Sequence, residues 1–215
     1  DVMVNNAGLG NQAPIIGGDE AWWRELLDVN VLALVVGCDA AVQAMRRTDS
    51  SGHIVNISSI GALHAGSGVY GATKAAVNHL TDGLREELEG DDIRVTSLMP
   101  GVVATSFARN LDPSVVAGIG ALAGIELDVQ PGQRLPDEAL VGAQEALANH
   151  IAKPEDIADA VAYVVGLPHR INIPELIVRP AASLSRLMRR SYWLRSFSLN
   201  FSSRANSTTI PSGLP

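Results

Sequence analysis

The stretch His53-Ile54-Val55-Asn56-Ile57-Ser58, flanked by Gly52 and Gly61, is a β-branched run bounded by turn residues and reads as a strand. A helical pattern follows over 71–89, with Ala72, Ala76, Leu80, Leu84 and Leu88 forming one apolar stripe and Gly90 at the expected stop. Ile93 to Leu98 is the next strand, closed by Pro100-Gly101. A strand, a helix and a second strand in this order predict a right-handed βαβ unit and a parallel sheet covered on both faces.

The rest of the chain continues the alternation. Asp1 to Asn5 reads as a short strand running into Asn5-Asn6-Ala7-Gly8. Residues 11–19 read as a loop, and Asp19 to Met45 as a helix whose apolar positions are Leu26, Val29, Ala33 and Val36. Glu155 to Val165 predicts a helix opened near Pro154, and Ile171 to Val178 a last strand broken by Pro174. The expected class is α/β, a doubly wound Rossmann-like parallel sheet with helices on both faces. Ligands in such sheets bind beyond the carboxyl ends of the strands.

Composition narrows the function classes. The chain has 215 residues, a net charge of −7, 47% hydrophobic and 18% charged residues. That apolar content can fill a core. The single cysteine, Cys38, allows neither an internal disulfide nor a cysteine-based zinc site. His53, His79, His150 and His169 lack metal-ligand spacing, so no metal site is expected. Neither a membrane span nor a secretory leader is read, and a cytoplasmic location is expected. An acidic chain is a poor nucleic-acid binder. The charge is unevenly spread: residues 179–215 hold six arginines and no acid, while every acidic side chain lies in 1–178. Two units are therefore expected, a body over 1–180 and a basic, weakly ordered tail over 181–215. In the tail Leu184, Leu187, Met188, Leu194 and Phe197, with Arg186, Arg189, Arg190 and Arg195, predict a basic amphipathic helix. It is suited to weak contact with an anionic membrane surface or to a partner.

Chemistry-bearing residues follow each strand: Asn6, Ala7 and Gly8 after the first, Ser58 and Ser59 and then Tyr70 and Lys74 after the second, and Pro100, Gly101, Val103 and Thr105 after the third. Tyr70 and Lys74 are four apart on one helix face. A phenol titrates near ~10, too high to exchange protons at neutral pH, and a neighbouring ammonium lowers that value. A serine hydroxyl can hold a substrate oxygen while the phenol supplies its proton.

Taken together, Asn5-Asn6-Ala7-Gly8, Asn30 in Asp28-Val29-Asn30, Asn56-Ile57-Ser58-Ser59, Tyr70-Gly71-Ala72-Thr73-Lys74 and Pro100-Gly101-Val102-Val103-Ala104-Thr105 resemble the compact short-chain dehydrogenase/reductase family, over residues 1–180. The resemblance implies an oxidoreductase moving a hydride between NAD or NADP and a small carbonyl or secondary-alcohol substrate. It makes Tyr70 the general acid/base, Ser59 the partner of the substrate oxygen, and Lys74 the ligand of the nicotinamide ribose that also depresses the Tyr70 pKa. Asn30 would hold a water of the proton relay. Asn6, Ala7 and Gly8 would line the adenosine side, Pro100 and Gly101 would border the cofactor, and Val103 and Thr105 would meet its nicotinamide amide and phosphates. His64, between Ser59 and Tyr70, is a candidate substrate contact, and 106–153 is where a substrate lid is expected. The resemblance also implies a homodimer or homotetramer paired through helices 19–45 and 71–89.

The family's glycine-rich first turn is not found. Gly66-Ser67-Gly68-Val69-Tyr70-Gly71 matches the glycine spacing, but seven residues separate it from the strand end at Ser58, so it is read as a flexible loop. The expectation is a chain beginning at the family's fourth strand, with an open sheet edge and weakened cofactor binding. A non-catalytic dinucleotide-responsive scaffold, or an inert fragment, is the alternative.

Overall fold

The computed structural model describes residues 1–10, 14–105, 141, 142, 145, 147 and 150–182. The chain divides into two compact units, Asp1–Pro180 and Ala181–Pro215. The expected amphipathic tail helix and nearly all of the expected lid lie outside the described residues.

Four strands, β1 (Val2–Asn5), β2 (Gly52–Ile57), β3 (Ile93–Pro100) and β4 (Glu175–Val178), form one sheet in the order β1-β2-β3-β4. All pairings are parallel, with Val4 opposite Val55, Ile54 opposite Val95, and Leu98 opposite Leu176. The expected α/β class is what forms. β4 is shorter than the sequence suggests: it starts only after Pro174, which has no N–H to give and contributes its carbonyl to Ser97 N at 2.9 Å.

Successive residues of a strand point to opposite faces, so each central strand feeds two cores. Ile54 and Val95 pack with Leu34, Cys38, Val42 and Val77 of helices α2 (Ala33–Thr48) and α3 (Gly68–Glu87). Val55 and Leu98 pack on the other side with Val164 of α4 (Pro154–Gly166). Each such fully buried aliphatic side chain contributes about 1.5–3 kcal/mol. Among the described residues no helix is long and apolar enough to cross a membrane.

The helix expected over 19–45 is three pieces: α1 (Glu20–Leu27), a π-turn over Asp28–Leu32, and α2. Asp19 caps α1 by accepting the Ala21 N–H at 3.0 Å. The π-turn inserts one residue per turn, and the buried face shifts accordingly. It runs through Leu26, Asn30, Leu34, Cys38 and Met45, while Ala33 and Val36 of the expected stripe face outward. In α3 the buried face is likewise displaced, onto Thr73, Lys74, Val77 and Thr81, with Ala72 exposed and Leu80 and Leu84 only partly buried. Polar side chains can occupy that face because each has an acceptor: Thr73 gives its hydroxyl to Tyr70 O, Thr81 to Val77 O and Lys74 its ammonium to Ile57 O.

Candidate active site

β2 ends at Ile57, and the chain turns through Ser58 and Ser59 into two short 3-10 turns, Ile60–Leu63 and Ala65–Ser67, before α3. Entry into α3 requires a left-handed residue, and Gly68 supplies it at φ 57°. The strand end is fastened to α3 twice: Ser58 Oγ donates to Lys74 O, and Lys74 Nζ donates to Ile57 O, both at 3.0 Å.

The two serines therefore differ. The Ser58 hydroxyl is occupied by the helix, whereas Ser59 Oγ accepts the Gly61 N–H at 3.0 Å and is hydrogen-bonded to the Tyr70 phenol. This closeness depends on small residues. A Cβ at position 61 would lie 3.0 Å from Tyr70 Cε1, and one at position 71 would lie 2.6 Å from Ser67 Cβ and 2.8 Å from Gly61 O. The turn thus lies backbone-first on the start of α3.

Burial controls the electrostatics. Lys74 is 4% exposed, and loss of hydration lowers its pKa from 10.5 to about 8. Burial pushes the Tyr70 phenol above its ordinary 10, with the Ser59 hydrogen bond pulling the other way. The Lys74 ammonium is turned to Ile57 O, and burial is the largest influence on the phenol.

These groups open on a cavity of ≈ 770 Å³ at the carboxyl ends of the strands, within the ~300–1,000 Å³ of small-molecule sites. Asn6, Gly8, Ser59, Tyr70 and Lys74 line it, as do Pro100, Gly101, Val103 and Thr105. Gly101 is held by donation of its N–H to Val178 O at 2.7 Å, and Val102 to Ala104 by a short parallel bridge with Ala152. His64 also lines the cavity, from an exposed position. Two expected site residues are not brought there. Ala7 is exposed beside the cavity-lining Asn6 and Gly8. Asn30 is buried, and its amide is consumed: Nδ2 donates to Leu9 O at 2.9 Å and to Thr73 Oγ1 at 3.0 Å, and Oδ1 accepts Leu9 N–H at 2.8 Å. Its side chain clamps the loop after β1 to α3.

Sequence reasoning missed one wall altogether. Pro154, Ile157, Ala158 and Val161 of α4 line the cavity. Their i, i+3, i+4, i+7 spacing was the available signal.

Comparison with known proteins places this geometry. A family model described as short chain dehydrogenase matches residues 1–115. The chain is 35% identical over 194 residues to dehydrogenase/reductase SDR family member 11 of Bos taurus, covering 86% of this chain and 66% of that protein. It is 34% identical to farnesol dehydrogenase of Aedes aegypti, covering 84% and 63%. Among solved structures, the closed form of serine dehydrogenase complexed with NADP+ is 30% identical, with TM-score 0.62, over 89% of this chain and 66% of that one. The chain thus spans slightly under two thirds of the length of the curated relatives it matches. With more than half of its residues inside the family match, the chain belongs to the short-chain dehydrogenase family.

Proposed function

We propose that this protein is an oxidoreductase that uses NAD or NADP to interconvert a carbonyl compound and a secondary alcohol, with Tyr70 as general acid/base. The observation that carries the reading is the hydrogen-bonded Ser59–Tyr70 pair beside a buried Lys74, at the mouth of a cavity beyond the strand ends.

The residues present fit a ribose-bearing dinucleotide. Lys74 has three N–H donors but one acceptor among the described residues, Ile57 O. The space beside its Nζ is kept open by Gly8, where a Cβ would lie 3.3 Å away. Vicinal ribose hydroxyls are acceptors suited to the remaining donors. The solved serine dehydrogenase relative carries NADP+, which supports the same cofactor class here. Asn6 and Gly8 border one end of the space and Pro100, Gly101, Val103 and Thr105 the other.

When bound, the nicotinamide exchanges a hydride with the substrate carbon, and the protein handles the matching proton. Ser59, its lone pair steadied by the Gly61 amide, holds the substrate oxygen. Tyr70 gives its phenolic proton to that oxygen as the carbonyl is reduced, or removes the alcohol proton in the reverse direction. Because burial keeps the phenol above its ordinary 10, Tyr70 is protonated at neutral pH and stands ready as the acid. Because reduction consumes one proton, rising pH shifts the balance toward oxidation. Lys74 would hold the ribose hydroxyls with its remaining donors, and its ammonium would favour the anionic phenol when Tyr70 gives up its proton.

The test is Tyr70→Phe. Turnover should fall by about 10²–10⁴-fold, while nicotinamide binding, read by fluorescence of the reduced cofactor, stays within about threefold, since the ring remains. Turnover unchanged by the substitution removes the mechanism, and binding without turnover in the unsubstituted protein selects the non-catalytic alternative.

A further inference from the structure

We infer that the site takes a neutral, predominantly hydrocarbon ketone or secondary alcohol, and that the first two turns of α4 form the wall that selects it. The inference rests on the oxidoreductase reading above and names the substrate class of that same site.

Two observations carry it. The first is the charge inventory of the cavity. Among its described lining residues Lys74 is the sole fixed charge, and it is turned to Ile57 O. None is an arginine, aspartate or glutamate, and the remaining Lys74 donors are assigned above to the cofactor ribose, so among the described residues a substrate carboxylate or ammonium would meet no partner, which is costly away from water. The second is the placement of α4. Ile157 and Val161 are anchored in the core cluster of Val55, Leu98 and Val164, so this wall has a fixed position. Pro154 and Ala158, on the same helical face, lie exposed to the cavity. The acids of that helix, Glu155, Asp156 and Asp159, are exposed and do not line the cavity. Asp156 is occupied at the helix start, where its Oδ2 accepts the Lys153 N–H at 2.7 Å. The helix is thus divided, with its charge in solvent and a continuous hydrocarbon stripe facing the site.

The experiment compares acetophenone with para-acetylbenzoate, two ketones that differ by one carboxylate. Each is reduced to its secondary alcohol with oxidation of one reduced nicotinamide and uptake of one proton. The neutral ketone should have the higher kcat/KM by about tenfold or more. Ala158→Asp, at an exposed position outside the packed core, should lower kcat/KM for acetophenone by about tenfold through KM. Ala158→Arg should narrow or reverse the preference between the two ketones. Equal or better use of the carboxylate by the unsubstituted protein, or Ala158 variants that behave like it, overturns the inference. Isothermal titration with the same two ketones separates this outcome from failure of the catalytic reading. Acetophenone binding that is lost in Ala158→Asp, without turnover, supports the wall and counts against the chemistry. Tighter binding of para-acetylbenzoate, or binding of neither ketone, overturns the wall itself.

Discussion

Two buried cations sit at opposite ends of the strands. At the amino end of β3, Arg94 is 9% exposed, and its guanidinium donates to four carbonyls: Val165 O, Leu167 O and Pro168 O at 3.4 Å and Ile171 O at 2.7 Å. At the carboxyl end, Lys74 is 4% exposed and donates to one carbonyl. Both have lost water, but Arg94 is largely repaid in hydrogen bonds, with only its Nε lacking a partner among the described residues. The more heavily bonded cation fastens the connection between α4 and β4. The unsaturated one is held in an unfavourable state with donors to spare, as expected of a group whose remaining partners arrive with a ligand.

Breaking the heavily bonded end should have the largest effect. Arg94→Met leaves four carbonyls without their donor and should cost about 3 kcal/mol or more of unfolding free energy, measured by urea denaturation. Turnover per folded molecule should stay near normal, because no atom of Arg94 lines the cavity. A stable Arg94→Met protein with lowered kcat would collapse the distinction between the two ends.

Lys74→Met should act in the opposite direction on stability. The folded-state pKa of about 8 lies below the ordinary 10.5, so between those values the unfolded chain binds more protons. Stability therefore rises with pH across about 8 to 10.5, and below pH 8 the buried ammonium costs about 3 kcal/mol. Replacing it removes that cost and one hydrogen bond, for a net gain of about 2 kcal/mol at pH 7. The alkaline rise in stability should vanish with it, and so should turnover. A variant that is less stable than the parent at pH 7 would show that Lys74 is structural in the same sense as Arg94.

The amino end has its own titrating group. His53, 2% exposed, gives its Nε2 proton to Thr96 Oγ1 at 2.8 Å, since Thr96 donates onward to Ile173 O. Its Nδ1 has no partner among the described residues. Burial first, then the charges of Arg94 and His169, lower its pKa from 6.5 to about 4. The unfolded state thus binds more protons between about 4 and 6.5, and stability present above that window is lost as pH falls through it. The loss from pH 7 to pH 5 should be about 2 kcal/mol. His53→Gln, which keeps a donor for Thr96 without a titrating ring, should flatten that acid limb. An unchanged limb would assign it to other groups and leave the amino end electrostatically inert.

Much of this contrast was legible in the sequence, but unevenly. Tyr70 and Lys74 stood out because their spacing is local, four residues on one helix, and because Ser58-Ser59 follows a β-branched run. The clamp around Arg94 was not legible, because its acceptors lie more than seventy residues away and nothing local marks them. The stripe over 19–45 was misread from Val29 onward, because a π-turn changes the period without altering the kinds of residue that appear. In α3 an apolar reading favoured alanine and leucine. Burial went to Thr73, Lys74 and Thr81 because hydrogen bonds to carbonyls, invisible to periodicity, make burial of polar groups affordable.

The smallest effect is also the control for the comparison. Gly83 lies in α3, the helix that carries Tyr70 and Lys74, and a Cβ there would meet nothing within 4 Å. Gly83→Ala should add about 0.5–1 kcal/mol, because alanine loses less backbone entropy in a helix than glycine. Its kcat should be unchanged, as the residue touches neither the cavity nor Lys74. This separates two explanations of an inactive, stabilised Lys74→Met protein. If stiffening α3 by itself slows turnover, Gly83→Ala will lose activity in proportion to its gain in stability. If turnover needs the ammonium, the alanine variant will be more stable and fully active. The loss at position 74 then belongs to the missing charge, and the cost of burying it is tied to what it does.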